Sequence, residues 1–529
     1  MKYFFYALLS GMLLALGWPT YGFPLLLFVA FVPLLYSEYR IRMEEAHYRK
    51  LKIFGLSYLS FFIWNLITTY WLYFSTPFGG IFAIVVNSLL MSLVFLIYHI
   101  VAKRVDFKAA ASFLISLWMS FEYLHLNWEF SWPWLNLGNG FSEYSTWIQW
   151  YEYTGTFGGT LWVLLVNVGL LKMLLLYRQH QDKAILLRGL LKNGLLILLP
   201  IGLSYLILFN YEESEKKLEA VVLQPNINPY TEKYNTTDVR IGQLLTKLAE
   251  ENISPNTDIV IAPETVFADG TIYSQFENSE ANFFTRDFVR RHSKMAFLSG
   301  ISMYERFNNP SRVRSQSNQI GPRDWYDDYN SAFMVTARDS VSFYHKSKLV
   351  VGVENFPYQE VLKPVLGNVM IDLGGTVAMK TTQKERGVFE LLNGEKVGPI
   401  ICYESVYGDF VTGYVNKGAD FLAIITNDAW WGRTQGHKQH LSYARLRAIE
   451  NRRSVARSAN TGISAFINEK GQITQSLGYE KKGALRGELT LNDKLTFYTR
   501  YGDYLARIAN FLSLFIFLFA MVKWKRKRI

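Results

Sequence analysis

The chain has 529 residues, of which 50% are hydrophobic, 16% aromatic and only 19% charged, a balance that leans toward a membrane protein. A formal net charge of +11 would suggest a nucleic-acid partner in a soluble protein, but many Lys and Arg here gather in short clusters between apolar runs, the pattern of a chain oriented in a bilayer. The single cysteine excludes an internal disulfide.

Apolar runs at 4–16, 24–36, 53–74, 80–101, 109–124, 160–176, 195–209 and 505–522 read as membrane segments, several of them short of the roughly 20 residues a straight span needs. The first could be a signal peptide, but further apolar runs follow it without a convincing cleavage site, so it reads as a span. Basic clusters fall in alternate loops: Arg40, Arg42, Arg49, Lys50 and Lys52; then Lys103, Arg104 and Lys108; then Arg178, Lys183, Arg188 and Lys192. The positive-inside rule places these in the cytoplasm, puts the globular stretch outside, and returns the C-terminal run 523–528 to the inside. Three divisions follow: a membrane domain of about seven helices over 1–209, a globular domain over 210–503, and a final span with a basic tail over 504–529.

Between the fifth and sixth spans, Trp128, Trp132, Trp134, Trp147, Trp150, Tyr144, Tyr151 and Tyr153 crowd one segment. Such residues suit a membrane-water boundary, as an aromatic belt or as part of a lipid-binding surface. In the globular stretch, short apolar strands alternate with helical patterns, the sign of an α/β fold. The strands expected are 220–223, 259–262, 296–300, 331–335, 397–401, 421–425 and 463–467, with a helix over 438–452.

Three strand-like runs end on reactive side chains. Ile259-Val-Ile-Ala-Pro-Glu264 ends on a carboxylate, Val341-Ser-Phe-Tyr-His-Lys346 on an amine, and Pro399-Ile-Ile-Cys402 on the lone thiol. A buried core thiol is the plain reading of a single cysteine. A base, a cation and a thiol at three strand ends are the parts of an activated nucleophile, in which Lys346 lowers the thiol's pKa and Glu264 moves its proton.

These strand ends resemble the Glu-Lys-Cys triad of the nitrilase superfamily. The fuller pattern is similar to the apolipoprotein N-acyltransferases, bacterial membrane enzymes. It comprises Ala262-Pro-Glu264, Asn330-Ser331, Tyr344-His-Lys346-Ser-Lys-Leu349 with Glu354, Cys402-Tyr-Glu404, Asn427-Asp-Ala-Trp430, His440 to Arg445, Arg447 to Glu450, Ala459-Asn-Thr-Gly462 and Trp132-Pro-Trp-Leu-Asn-Leu-Gly138. Two departures stand out: Val351-Gly-Val353 precedes Glu354 where the family often has Pro-Phe-Gly, and Tyr234 stands where a tryptophan is expected.

The resemblance implies a multi-pass α-helical membrane domain plus an extracytoplasmic nitrilase-like αββα sandwich, in the bacterial inner membrane with the catalytic face toward the periplasm. It implies transfer of an acyl chain from a phospholipid, through a Cys402 thioester, to the N-terminal amine of a diacylated apolipoprotein. It implies no cofactor, no metal and no nucleic-acid partner, and a monomer. Glu264 would be the general base, Lys346 and a backbone N–H the oxyanion donors, and Cys402 the nucleophile. Glu354 and Glu404 would hold Lys346 and its loop, with Asn330, Tyr403 and Trp430 positioning groups or lining the pocket. Fixing such a site to a membrane has a physical motive, because moving a chain of about fifteen methylenes into water costs roughly 12 kcal/mol.

His437 and His440 lack the further ligands a zinc site needs. Arg445, Arg447, Arg452, Arg453 and Arg457 read as internal salt-bridge partners rather than a nucleic-acid patch. The competing functions are a membrane-anchored amidase or nitrilase of small substrates, and a transporter or receptor with a non-catalytic ectodomain. Intramembrane ionisable residues would favour the latter, and the spans offer little beyond cases such as Glu122.

Overall fold

A backbone in an apolar medium must pair its own N–H and C=O groups, and the apolar runs of this chain accordingly fold as helices. The computed structural model describes every residue except 45–47, 233–234, 339, 362–378 and 527–529, so Tyr234 and the end of the basic tail lie outside the described residues. The chain forms two units: Met1–Tyr73, Pro77–Tyr211 and Tyr501–Ile529 make the first, Phe74–Thr76 and Glu212–Arg500 the second.

Among the described residues of the first unit, six helices are long and apolar enough to cross a membrane: Pro24–Met43, Arg49–Thr69, Pro77–Ala102, Thr156–His180, Lys183–Phe209 and Tyr504–Val522. The other two runs read as spans are the shorter helix Lys2–Leu16 and the helix Phe107–Asn127. Several helices run past the boundaries that charge suggests. Lys183–Phe209 begins well before residue 195, because Arg188 and Lys192 can extend their heads along the helix to water without ending it.

The aromatic segment divides: Trp128, Trp132, Tyr144, Trp147 and Tyr153 keep exposed surface, and the rest lie inside. Trp134, Trp150 and Tyr151 are buried, and the chain there turns through short 3-10 helices, Pro133–Leu135 and Leu137–Phe141. Glu122 is the anchor. Its carboxylate accepts hydrogen bonds from Trp118 Nε1 at 3.1 Å, Leu137 N at 2.8 Å and Thr160 Oγ1 at 2.7 Å, so this buried acid is satisfied by neutral donors inside its own unit.

The second unit is built on two sheets. The first takes β1 (Lys217–Gln224), β2 (Thr257–Ile261), β3 (Phe267–Ile272), β4 (Ala296–Phe307), β5 (Asn318–Gly321), β6 (Asp324–Val335) and β7 (Val341–His345). The second takes β8 (Phe389–Glu390), β9 (Lys396–Ile401), β10 (Phe421–Thr426), β11 (Val455–Ala459), β12 (Ser464–Ile467) and β13 (Ile473–Leu477). Strand β14 (Gly483–Thr490) returns to pair antiparallel with β1.

In the first sheet β1, β2 and β4 run parallel, and β6 is antiparallel to both β4 and β7. In the second, β9, β10 and β11 run parallel. The helices Asp238–Glu250 and Glu280–Arg291 cover the first sheet with Leu245, Leu248 and Phe288 against Phe297 and Phe333. Gly408–Asn416 and Gln435–Asn451 lie on the second. The sheets meet where Ser458 Oγ donates to Leu223 O at 2.7 Å and Ser464 N to Gln224 Oε1 at 3.0 Å. The layers are helix, sheet, sheet, helix, the αββα arrangement expected.

The parallel strands β2, β9 and β10 carry their reactive groups at their carboxyl ends, where neighbouring ladders hold the backbone rigid and the chain beyond is free to turn. Every expected strand is present, with β4 and β6 each longer than expected because their outer halves alternate with Glu305, Arg306, Asp327 and Asp328.

One cap in the first sheet is pH-sensitive. Asp238 Oδ1 accepts Ala268 N at 2.9 Å while Asp269 Oδ2 accepts Asp238 N at 2.7 Å, and burial, with the charge of Asp269, raises Asp238 to about 6. A carboxyl raised above its unfolded value stabilises the fold while protonated, and that contribution is lost as pH rises through the raised value. Asp238→Asn is therefore expected to raise the thermal midpoint above about pH 7 and to leave it unchanged below about pH 4. Thermal scans at the two pH values check this, and a uniform shift at both would contradict it.

Candidate active site

Ala262 N still donates to Leu298 O at 2.8 Å, but after Pro263 the chain leaves β2 and Thr265 takes a left-handed φ of 43°. The turn projects Glu264 inward. Gly300 of β4 passes directly beneath it: a Cβ there would lie 2.5 Å from Pro263 O, 2.5 Å from Thr265 N and 2.6 Å from Glu264 Cα. Any side chain would push the Glu264 turn out of place.

Lys346 follows β7, and its N–H donates to Asn330 O on β6 at 2.8 Å. Its ammonium is 1% exposed and reaches Glu264 Oε1 and Glu354 Oε1, each at 2.9 Å. Asn330 Nδ2 bridges the same two carboxylates, at 2.8 Å to Glu264 and 3.0 Å to Glu354. Burial opposes the charge on Lys346, but Glu264, Glu354 and the Cys402 sulfur outweigh it and hold the amine well above its ordinary value. Glu354 sits on a tight turn in which Val350 N donates to its Oε2 at 2.9 Å and its own N–H returns to Val350 O at 2.9 Å. Gly352 supplies the φ of 77° the turn requires. The Val351-Gly-Val353 departure thus still delivers Glu354 to Lys346. The second oxygen of Glu264 accepts Asn427 N, at the end of β10, at 3.2 Å.

Cys402 lies at the end of β9 with φ 52°, in the left-handed region that costs an L-residue of order 1–2 kcal/mol. A short 3-10 turn, Cys402–Val406, follows, so the residue is an elbow between strand and turn. Sequence reading expects Lys346 to lower this thiol. Lys346 does act in that direction, but burial and then Glu264 push the thiol up and prevail, so it rests protonated. Glu264 and Lys346 are in direct contact, and Glu264 also bonds the end of β10, the strand that pairs with β9 and its terminal Cys402.

Glu404 does not touch Lys346. Its Oε1 accepts Tyr344 OH at 2.6 Å and Ser347 N at 2.6 Å, and its Oε2 accepts Ile401 N at 2.8 Å and Tyr414 OH at 3.1 Å. It therefore ties the residue after Lys346 to the residue before Cys402. Tyr403 is buried and packs edge-on against Tyr407, with ring centres 5.3 Å apart. Trp430 is half-buried and meets Tyr230 edge-on at 5.3 Å.

Sequence reading named His440 and expected Arg457 to form an internal salt bridge, but did not join them to Asp428 as a layer behind the elbow. Asp428, His440 and Arg457 are all buried, with Arg457 Nη2 2.7 Å from Asp428 Oδ2 and His440 Nδ1 2.9 Å from Asp428 Oδ1. Burial alone would raise Asp428, but Arg457 and His440 reverse this and hold it far below the usual carboxylate range. The signal was available: Asp428 and His440 both stand in the quoted motifs, and a charged Arg457 in an otherwise apolar stretch needs a buried partner.

Arg447 pairs with Glu450 at 2.9 Å, and Arg445, Arg452 and Arg453 donate to backbone carbonyls of Gly471, Glu469 and Ala419. Arg447 and Arg457 thus pair with carboxylates as expected, and Arg445, Arg452 and Arg453 also reach main-chain oxygens. His437 stacks on Tyr479 at 4.2 Å. Among the described residues no group of three or more His, Cys, Asp or Glu side chains is arranged to hold a metal ion.

Residues 222–494 match the carbon-nitrogen hydrolase family model, and residues 10–169 match the apolipoprotein N-acyltransferase N-terminal domain. The chain belongs to the carbon-nitrogen hydrolase family. Within it, the chain has the two-domain make-up of the apolipoprotein N-acyltransferases. It is 28% identical over 518 residues to a protein of that name from Chlorobaculum tepidum, covering 95% of this chain and 93% of that one. It is 26% identical over 540 residues to another from Thermotoga maritima, covering 97% and 93%. Among solved structures it is similar to XC1258 from Xanthomonas campestris, a CN-hydrolase superfamily protein, at 15% identity and a TM-score of 0.36, over 52% of this chain and 91% of that one.

The two groups flanking the thiol act on it with opposite signs, which makes their fields measurable. Lys346→Met removes the cation that lowers the thiol, and alkylation of Cys402 by iodoacetamide near neutral pH is expected to slow by about tenfold or more, one pKa unit. Glu264→Gln removes a group that raises it and is expected to speed the same reaction. Equal rates in the two variants would place the thiol outside their reach.

Proposed function

We propose that this protein transfers an acyl chain from a membrane phospholipid to the N-terminal amine of a diacylated lipoprotein cysteine, through a thioester on Cys402. The observation that carries the proposal is the buried Lys346 ammonium bridging Glu264 and Glu354, with Glu264 also bonded to the end of β10, the strand beside the one that ends on Cys402. The relatives that cover nearly the whole chain support the substrate class by their name.

In the first half-reaction Glu264 takes the Cys402 proton as sulfur attacks the ester carbonyl carbon. The negative charge that develops on the carbonyl oxygen meets the Lys346 ammonium and the backbone N–H of Tyr403. The ester C–O bond then breaks, the departing lysophospholipid oxygen takes the proton from Glu264, and the thioester remains. In the second half-reaction Glu264 accepts a proton from the incoming amine as nitrogen attacks the thioester carbonyl, and the C–S bond breaks to return the thiol.

Glu354 has a distinct task in this cycle. When Glu264 is protonated, its pairing with Lys346 weakens, and the Glu354 carboxylate 2.9 Å away keeps the ammonium charged through both steps. Asn330 holds the two acids at a fixed separation. On this proposal the second unit works on the outer side of the bacterial cytoplasmic membrane, the side that the basic loops assign to it.

Initial rates measured with phospholipid and a diacylated lipopeptide varied together are expected to give parallel double-reciprocal lines, since one product leaves before the second substrate reacts. A lipopeptide with an acetylated amine is expected to yield no N-acyl product, and Cys402→Ala no turnover. Intersecting lines, or turnover by Cys402→Ala, would rule out the thioester route.

A further inference from the structure

The Cys402 carbonyl accepts two side-chain hydrogen bonds that the mechanism above does not use. Ser405 Oγ donates to it at 2.8 Å, and His440 Nε2 lies 3.2 Å from it and 3.0 Å from Ser405 Oγ. The partners decide which ring nitrogen carries a proton toward the elbow. A carbonyl oxygen can only accept, and the single Ser405 proton already faces it, so Nε2 satisfies both neighbours only as a donor. On the other side of the ring, Nδ1 faces Asp428 Oδ1 at 2.9 Å and Arg457 Nη2 at 3.1 Å. That side is compatible with Nε2–H whether Nδ1 donates to the acid or accepts from the guanidinium.

The ring has no freedom to leave this position. His440 is 1% exposed, Trp431 packs edge-on against it at 5.5 Å, and Asp428 and Arg457 are both fully buried. Asp428 is itself pinned by Thr426 Oγ1 at 2.9 Å, and a Cβ at Gly462 would lie 2.5 Å from Asp428 Oδ2. A rigid, charged frame therefore ends in one N–H aimed at the carbonyl of the residue whose φ is 52°.

We infer that His440 is a positioning residue: held by Asp428 and Arg457, its Nε2–H fixes the Cys402 carbonyl and with it the left-handed backbone that presents the thiol. The inference rests on the acyl-transfer proposal for the reaction served, but not for the geometry. Without the donor, Cys402 relaxes toward an ordinary φ, and the sulfur moves relative to Glu264 and Lys346. Catalysis is steeply sensitive to such displacement.

The test compares His440→Leu, which fills much of the volume but has no donor, with His440→Gln, which offers an amide N–H near the place of Nε2. Both are measured in the full-length enzyme by alkylation of Cys402 with iodoacetamide and by kcat and KM for N-acyl transfer. The leucine variant is expected to lower the alkylation rate about tenfold and kcat about a hundredfold, with KM held to within about threefold. The glutamine variant is expected to recover most of both losses. Equal losses in the two variants would reduce His440 to packing and overturn the inference. Should N-acyl transfer be absent in the wild type while alkylation still follows the glutamine-over-leucine order, the acyl-transfer proposal falls and the positioning role stands. If the leucine variant does not fold, His440→Asn decides: its shorter amide stops short of the carbonyl, so alkylation is expected to be about tenfold slower than in the glutamine variant, and equal rates in the two would overturn the inference.

Discussion

One buried ammonium between two carboxylates organises the catalytic unit. Lys346 arrives at the end of β7, Glu264 at the end of β2 and Glu354 on the turn that follows Lys346, and the ammonium reaches both carboxylates at 2.9 Å. An isolated ammonium at this depth would give up its proton, and an isolated carboxylate would take one. Together they are stable only as a set, and removing one member of a buried pair typically costs about 3–5 kcal/mol. The set carries one more negative than positive charge, which explains the neutral donors around it: Asn330 Nδ2, Asn427 N and Val350 N each point a hydrogen at a carboxylate oxygen. Burial pushes the neighbouring thiol up, and the negative charge of Glu264 adds to it against the opposing effect of Lys346.

The elbow depends on that set through two further buried acids. Glu404 accepts backbone N–H groups on either side of the gap between Lys346 and Cys402, so strain at the elbow is resisted by the same contacts that locate the ammonium. Asp428 does the corresponding work from the second sheet, through His440 and Arg457. Two glycines are required by these arrangements rather than by turns: Gly300 leaves room for the Glu264 backbone and Gly462 for the Asp428 carboxylate. Preorganisation of this kind places the donors before the reaction, so that charge developing on an oxygen meets them without reorganisation.

Much of this was legible in the sequence, for identifiable reasons. The strands β1, β2, β9 and β10 are buried on both faces and read as short apolar runs, and Glu264, Lys346 and Cys402 stand out because each interrupts or ends such a run. Strand β11 was missed because Arg457 and Ser458 sit in its middle, and their partners, Asp428 and Leu223 O, are distant in sequence. For the same reason Glu404 could be named as a support but not assigned to its donors. Trp134 and Tyr151 illustrate a different limit: composition marks an aromatic segment as interfacial, whereas burial around Glu122 depends on a tertiary hydrogen bond to Leu137 N that no local pattern encodes. Helix ends in the first unit were misplaced because a Lys or Arg near the end of an apolar run does not terminate a helix.

The central claim is that Cys402 itself carries the acyl chain between donor and acceptor. Intact-protein mass spectrometry of the full-length enzyme, incubated with phospholipid and no amine, tests it most directly. The account predicts a mass gain of one acyl chain, located on the peptide containing Cys402, released by hydroxylamine and persisting until an amine is supplied. An enzyme that stays unmodified with phospholipid, yet forms N-acyl product as soon as a lipopeptide is added, would contradict it.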